Sequence, residues 1–283
     1  MWRKLKITLE MIKFEHTIFA LPFALISVVL ATTGWPDWGK LSWILLAMVG
    51  ARSAALAFNR IVDRHYDLEN PRTRLRALPA NLVSLAYVVG FTLASSLLFI
   101  VAAWMLNRLC FWLSFPVLAI LFFYSYTKRF TNYSHLVLGL CLGLAPPGAW
   151  IAIRGDLHAV PLLLCLIVML WTAGFDLIYA CQDVEFDRQK KLFSLPRRFG
   201  ISTALRISTF WHLCMVLLLF WLVYLAGLGW IATVGVAAVA LLLWYEHRLV
   251  RPDDLSRVNA AFFTVNGFIS LLLLFAISLD KWF

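Results

Sequence analysis

The sequence predicts an all-α membrane protein in which nine transmembrane helices form a bundle around a central cavity, with a small cytoplasmic cap. Of the 283 residues, 62% are hydrophobic and 14% are charged, and the mean hydropathy is +0.83, which is outside the range of soluble domains. The apolar runs are continuous over roughly 20 residues rather than alternating, which favours helices over barrel strands. No long linker interrupts them, so we expect a single domain over residues 1–283.

Nine apolar segments, separated by polar, Gly or Pro residues, each predict one helix. In chain order the predicted helices are 17–34, 41–60, 80–106, 110–127, 133–153, 160–182, 203–226, 230–246 and 259–279. The segments 61–79 and 188–202 are the long polar connections, and we expect them to form the cap.

The distribution of basic residues predicts the orientation in the membrane. With the N-terminus inside, 20 of the 25 Lys and Arg fall on the cytoplasmic side, including Arg3, Lys4, Lys6 and Lys13 of the N-terminal segment. The opposite side has only Lys40, Arg108, Arg154 and Lys281. The positive-inside rule then predicts a cytoplasmic N-terminus and an outside C-terminus, in a membrane of the bacterial inner type. The net charge of +10 follows from this asymmetry and does not indicate a nucleic-acid partner.

The first polar cluster is N59-R-I-V-D63-R-H-Y-D67, which directly follows an apolar run. Asn59, Asp63 and Asp67 recur at every fourth residue, so on a helix they share one face at about 6 Å per step. Such oxygen ligands suit a hard divalent cation, and Mg²⁺ characteristically links one or two carboxylates to substrate phosphates. Taken alone, the stretch is also compatible with a solvated helix end whose Asp side chains pair with Arg60 and Arg64.

The second cluster is D176-L-I-Y179-A-C-Q-D183-V-E-F-D187. Asp183 and Asp187 repeat the i, i+4 spacing, and Tyr179 and Asp176 lie one and two turns deeper on nearly the same face. An acidic residue inside a span is costly and marks a functional site by default. Because both clusters fall on the cytoplasmic side, we expect each to hold one Mg²⁺, with a diphosphate between the two ions.

Two further sets of residues extend this predicted site. Arg52 lies two turns deeper than Asn59 on the same face. A snorkelling arginine is the alternative, but Arg52 is too deep to snorkel easily, so we expect it to bind an anionic group of the substrate. Tyr124 and Lys128 are i, i+4 neighbours, and Lys128 could neutralise phosphate together with Arg129. An aromatic belt with a positive-inside anchor explains this last set equally well.

Together these motifs resemble the UbiA superfamily of intramembrane prenyltransferases, over nearly the whole chain. The matching patterns are N-x-x-x-D-x-x-x-D at 59–67, Y-x-x-x-K at 124–128 and Y-A-C-Q-D-V-E-F-D at 179–187. The first and third are similar to the 4-hydroxybenzoate polyprenyltransferase branch, which includes menaquinone-pathway enzymes that prenylate a dihydroxynaphthoate. The resemblance implies an Mg²⁺-dependent enzyme that transfers a polyprenyl group from polyprenyl diphosphate to an aromatic quinone precursor.

The resemblance also implies a role for each candidate residue. Two Mg²⁺ ions that grip the diphosphate would be held by Asn59, Asp63, Asp67, Asp183 and Asp187, of which Asp63 and Asp183 are the predicted catalytic residues. The predicted substrate-binding residues are Arg52, Arg64, Tyr124, Lys128, Arg129, Asp176 and Tyr179. Arg60 would only mark the cytoplasmic side. The base that removes the ring proton is left open between a motif Asp and the diphosphate itself.

Other functions use some of the same residues. A secondary transporter would have coupling sites at Arg52 and Asp176 near the midplane, but most of the acidic residues here lie at the cytoplasmic helix ends. A prenyltransferase could also act on haem, chlorophyllide or a lipid alkoxide. Acceptor identity and prenyl length depend on the shape of the cavity, so the motifs leave both open, and they leave the oligomeric state and protein partners open too. Phosphate-binding and dinucleotide-binding Gly-rich motifs are absent from the sequence.

Overall fold

The computed structural model describes residues 7–8, 10–12 and 17–283, and within these ranges the chain is helical, without a β-strand. The α-helices are α1 (Thr17–Ala31), α2 (Trp38–Glu69), α3 (Leu85–Leu106), α4 (Arg108–Thr127), α5 (Ser134–Gly143), α6 (Ala145–Arg154), α7 (Ala159–Ala180), α8 (Val184–Gln189), α9 (Leu195–Phe199), α10 (Ile201–Leu225), α11 (Trp230–Leu249) and α12 (Asn266–Trp282). A 3₁₀ turn (Cys181–Asp183) separates α7 from α8, and a π-helical segment (Ala260–Val265) precedes α12.

The prediction of an all-α membrane protein is confirmed. Among the described residues, eight helical stretches are long and apolar enough to cross a membrane. Helix α1 has 15 residues and is shorter than these, so the count of nine spans is not confirmed. Arg3, Lys4, Lys6 and Lys13, which contribute to the predicted orientation, lie outside the described residues. The central cavity and the cap stay predictions.

Two compact units make up the chain. The first comprises Asp37–Tyr126 with the described part of Met1–Thr17, and the second comprises Ile18–Pro36 and Thr127–Phe283. The single domain over residues 1–283 stays a prediction.

Helix α2 of the first unit is longer than predicted. It begins after Asp37, whose carboxylate accepts hydrogen bonds from the amides of Gly39 and Lys40, and it ends at Glu69. The predicted end at residue 60 is therefore wrong: no Gly or Pro occurs between residues 60 and 69, and the next helix breaker is Pro71. The whole first polar cluster consequently lies on one continuous helix.

The predicted helix 133–153 is broken into α5 and α6. Pro146 and Pro147 follow the break at Leu144 and lie in the first turn of α6, where the missing amide donor of proline costs no hydrogen bond within the helix. The carbonyl of Pro146 accepts a hydrogen bond from the Ser27 hydroxyl at 2.7 Å. This bond ties α1 to the break.

The π-helical segment is held by a buried asparagine. The Asn266 amide nitrogen donates to the carbonyls of Ala261 at 3.0 Å and Phe262 at 3.3 Å. The Trp171 indole nitrogen donates to the Asn266 amide oxygen at 2.6 Å. The segment is thereby anchored to α7, which carries Trp171 in the core of the second unit.

Helix α5 packs against α7 with almost no side chain between the two backbones. A Cβ atom added to Gly139 would lie 2.2 Å from the carbonyl oxygen of Met169, and one added to Gly143 would lie 2.6 Å from that of Cys165. Neither distance is compatible with van der Waals contact, so the packing requires glycine at both positions.

We predict that Gly139→Ala lowers the stability of the protein, because its methyl group would force α5 away from the backbone of α7. Overpacking of this kind costs about 1–3 kcal/mol. Thermal unfolding of the purified protein in detergent measures the effect. The matched control is Gly148→Ala in α6, where an added Cβ meets nothing within 4 Å, and we expect no loss there. Equal unfolding temperatures for the two variants would contradict the prediction.

Candidate active site

The first cluster of predicted ligands begins with Asn59 and Asp63, one turn apart on α2. The Asn59 amide nitrogen donates a hydrogen bond to Asp63 Oδ2 at 2.8 Å. Both side chains are half-buried. The two residues therefore present an amide and a carboxylate together, which are ligands that Mg²⁺ accepts.

Asp67, one turn further along α2, is buried and paired with arginine. Its Oδ1 lies 2.7 Å from Arg76 Nη1, and its Oδ2 lies 3.7 Å from Arg60 Nη1. The Thr73 hydroxyl donates to the Asp67 carbonyl at 3.0 Å. Asp67 thus attaches the loop after α2 to the helix end. Two cations already compensate its charge, which makes it the weakest metal-ligand candidate of the three.

Arg60 does more than mark the cytoplasmic side of the membrane. Its guanidinium is buried, contacts Asp67 and donates through Nε to the carbonyl of Met11 at 3.5 Å. Tyr124, on α4, lies close enough to Arg60 to interact with it electrostatically. Arg60 is therefore part of the packing of the first unit.

The other two predicted arginines of α2 lie on either side of the ligand pair along the helix. Arg52 is half-buried and lies two turns before Asn59. Arg64 is also partly exposed, and its Nε donates to His65 Nε2 at 3.1 Å. The sequence assigns Arg64 to the diphosphate and Arg52 to an anionic group of the substrate, and both roles stay predictions.

The sequence predicted that the second cluster lies on one continuous helix, and the structure shows that it does not. Helix α7 ends at Ala180, the 3₁₀ turn carries Asp183, and α8 carries Asp187. A 3₁₀ turn has three residues per turn instead of 3.6, so it changes the angle between the carboxylates on its two sides. The predicted common face of Asp176, Tyr179, Asp183 and Asp187 is therefore interrupted.

Asp183 and Asp187 are nevertheless both buried and close enough to interact electrostatically, with exposed fractions of 8% and 2%. The Ser194 hydroxyl donates to Asp187 Oδ2 at 2.8 Å, and the Asp187 carbonyl accepts from the amide of Leu192 at 2.9 Å. Two buried carboxylates that interact electrostatically therefore follow the end of α7, and a local hydrogen bond holds that of Asp187.

Lys128 belongs to this second cluster. Its carbonyl accepts from the amide of Phe193 at 2.7 Å, and its side chain interacts electrostatically with Asp187. Arg129 is exposed. Tyr124, which the sequence grouped with Lys128, lies in the first unit. The structure thus associates a cation with the second carboxylate pair.

His135 is a polar residue that the sequence analysis missed. Its Nδ1 lies 2.7 Å from Asp176 Oδ2, and its side chain is completely buried. Its place near the start of an apolar helix, at the predicted cytoplasmic end, is the signal that could have identified it. Tyr179, the remaining predicted residue of this set, packs its ring 4.4 Å from that of Phe262.

The donor atoms of both clusters suit Mg²⁺ bound together with a phosphate-bearing substrate. No group of three or more His, Cys, Asp or Glu side chains that could hold a metal occurs in the described part of the chain. Mg²⁺ does not need such a cage, since it commonly binds one or two carboxylates and takes its other ligands from water and substrate phosphates. Asn59 with Asp63, and Asp183 with Asp187, match that pattern.

Comparisons with known proteins agree with this chemistry. A 4-hydroxybenzoate octaprenyltransferase from Legionella pneumophila is 32% identical over 260 residues, covering 88% of each chain. One from Idiomarina loihiensis is 30% identical over 258 residues, covering 91% of this chain and 90% of the relative.

Solved structures of UbiA homologs are also similar to this chain. The apo structure of a UbiA homolog from Aeropyrum pernix K1 is 34% identical, with a TM-score of 0.85, and the match covers 94% of this chain and 98% of that chain. A UbiA homolog from Archaeoglobus fulgidus bound to GPP and Mg²⁺ is 18% identical, with a TM-score of 0.78 over 96% of this chain and 98% of that chain. At that identity the second match shows the fold alone.

The model of one protein family, described as the UbiA prenyltransferase family, matches residues 20–272. This range contains both ligand clusters and every predicted site residue. The chain therefore belongs to the UbiA prenyltransferase family, and the prediction that it is a prenyltransferase is confirmed.

Proposed function

We propose that this enzyme transfers a polyprenyl group from polyprenyl diphosphate to an aromatic quinone precursor such as 4-hydroxybenzoate, with Mg²⁺ as cofactor. The observation that carries the proposal is the pair of oxygen-ligand clusters, Asn59 with Asp63 and Asp183 with Asp187. The names of the relatives support the acceptor, and the homolog bound to GPP and Mg²⁺ supports the donor and the metal.

The two clusters bind one Mg²⁺ each, and Asp67 contributes through its place at the end of α2. When bound, Mg²⁺ neutralises the charge that develops on the departing diphosphate. Lys128, Arg129 and Arg64 add positive charge for the same purpose. The chain's own part in this step is to hold these ligands and cations at fixed positions before the donor arrives.

The reaction breaks the bond between the allylic C1 carbon and the diphosphate oxygen of the donor. The allylic carbon, then electron-deficient, is attacked by a ring carbon of the acceptor, and the ring proton passes to a base, either a motif Asp or the departing diphosphate. Apolar side chains exclude water, which would otherwise react with the allylic cation.

The remaining predicted residues bind the acceptor. Arg52, two turns deeper than Asn59, pairs with the carboxylate of an aromatic acid, and Tyr124, Tyr179 and Asp176 complete the binding set. A dihydroxynaphthoate also carries a carboxylate and hydroxyl groups, so prenylation in menaquinone synthesis is the second candidate reaction.

We also propose the inner membrane of a bacterial-type cell as its location, with the N-terminus cytoplasmic. The uneven distribution of Lys and Arg supports this orientation.

We predict that Asp63→Ala and Asp183→Ala each reduce pyrophosphate release by at least about a hundredfold, because each removes a carboxylate that binds Mg²⁺. Unchanged thermal unfolding would show that each variant still folds. Glu185→Ala is the matched control: Glu185 lies between Asp183 and Asp187, is exposed and pairs only with the exposed Arg188 at 3.0 Å among the contacts described. We expect near wild-type turnover there. Full activity in either Asp variant would refute the metal assignment.

We predict that chelation of divalent cations abolishes turnover and that added Mg²⁺ restores it. Without the cation, the diphosphate has only Lys and Arg to offset its charge as it leaves. The measurement is pyrophosphate release by the purified protein before and after EDTA, and after Mg²⁺ is added back. Release that persists in metal-free buffer would contradict the proposed cofactor.

A competition experiment identifies the acceptor. With 4-hydroxybenzoate and a dihydroxynaphthoate offered together at equal concentration, we expect mass spectrometry to find prenylated 4-hydroxybenzoate as the main product. A mainly naphthoate product would establish the menaquinone reaction instead. The absence of both products, while a relative prenylates one of them in parallel, would refute the aromatic acceptor.

A further inference from the structure

His135 and Asp176 form a hydrogen-bonded pair inside the second unit, between α5 and α7. The distance from His135 Nδ1 to Asp176 Oδ2 is 2.7 Å. The two side chains differ in accessibility: that of His135 is 0% exposed and that of Asp176 is 17% exposed. The imidazole is therefore enclosed by protein, whereas part of the carboxylate can be reached from outside.

The hydrogen bond to Asp176 is the only directional polar contact of the His135 ring among the described residues. The other ring nitrogen, Nε2, is buried and has no hydrogen-bond partner there. Nδ1 is therefore the ring nitrogen through which His135 contacts another side chain.

The packing of α5 on α7 fixes this hydrogen bond. Gly139 and Gly143 follow His135 at intervals of four residues, so all three share one face of α5. Gly139 lies against Met169 and Gly143 against Cys165. The backbone contact already holds the two helices together, and the hydrogen bond is not needed for that.

Asp176 lies on α7, seven residues before Asp183, and the end of α7 and the start of the 3₁₀ turn come between the two residues. A carboxylate accepts hydrogen bonds and cannot donate them. The substrate group that suits it is therefore a hydroxyl, such as the ring hydroxyl of an aromatic acceptor, and not the diphosphate.

We propose that His135 is a positioning residue that orients the Asp176 carboxylate toward a hydroxyl of the aromatic acceptor. The hydrogen bond to Oδ2 fixes the plane of the carboxylate and hence the position of Oδ1. This inference rests on the proposed function, because it assumes an acceptor that carries a hydroxyl group.

The test uses substitutions that separate the hydrogen bond from packing. His135→Leu keeps most of the side-chain volume but removes the donor. His135→Asn loses volume but places an amide nitrogen close to the position of Nδ1. Ser134→Ala is the control, since Ser134 is the buried neighbour on α5 and its hydroxyl has no hydrogen-bond partner among the described residues. Should the Leu variant not fold, His135→Gln, whose amide nitrogen mimics Nε2 instead, replaces it.

The steady-state constants for the two substrates distinguish positioning from a structural role. For His135→Leu we expect the KM for 4-hydroxybenzoate to rise at least about tenfold, since a hydrogen bond to a charged group is lost. We expect the KM for polyprenyl diphosphate to change less than about twofold. His135→Asn should recover a large part of the acceptor KM, and Ser134→Ala should leave both constants unchanged. Equal increases in both KM values, or no recovery with Asn, would overturn the proposal.

High-resolution structures of the same variants provide a readout that does not depend on activity. We expect the Asp176 carboxylate to rotate in the Leu variant and to keep its orientation in the Asn variant. An unmoved carboxylate in the Leu variant would overturn the role of His135 even if the enzyme is active. If the wild-type protein forms no prenylated aromatic product, the proposed function fails, and the carboxylate orientation still decides whether His135 positions Asp176.

Discussion

The cost of placing charge in hydrocarbon determines where this chain can carry its polar chemistry. An ionised side chain in the bilayer interior requires a partner or a wet cavity. The 32 residues of α2 extend about 48 Å, well beyond the roughly 30 Å of the hydrocarbon layer. The first ligand cluster occupies the last three turns of that helix, and the second begins where α7 ends. Three of the buried charged residues at these helix ends, Arg60, Asp67 and Asp187, each have a polar or charged partner.

This constraint explains why the class of fold and most of the helices could be predicted from the sequence. Each span needs a long apolar run, because backbone groups must be satisfied within the segment. The exceptions have local causes. The end of α2 was misplaced because Arg60 and Asp63 look like the start of a loop, although no residue there breaks a helix. The break between α5 and α6 was missed because Pro146 and Pro147 lie within an otherwise apolar run.

The sequence allowed prediction of which residues are candidates for the site, but it gave little information on the contacts between them. Regular spacing made Asn59, Asp63, Asp183 and Asp187 candidates, since four-residue intervals and acidic side chains can be read from sequence. The pairing of Asp67 with Arg76 depends on a loop that folds back on the helix, and spacing carries no information about it. The contact of His135 with Asp176 joins residues 41 positions apart, on two helices whose alignment depends on glycines at the contact. The 3₁₀ turn before α8 is likewise not marked by any Gly or Pro.

The two glycines of α5 affect how precisely α5 and α7 are positioned against each other. Where helices meet through long side chains, small shifts are absorbed by rotation about side-chain bonds, and the distance between two functional groups varies accordingly. Gly139 and Gly143 bring main chain against main chain, and the covalent geometry of the backbone offers no such adjustment. The backbones that carry His135 and Asp176 are therefore held at a fixed distance from each other. The backbone positions of these two residues therefore do not depend on which molecules occupy the space beside the two helices.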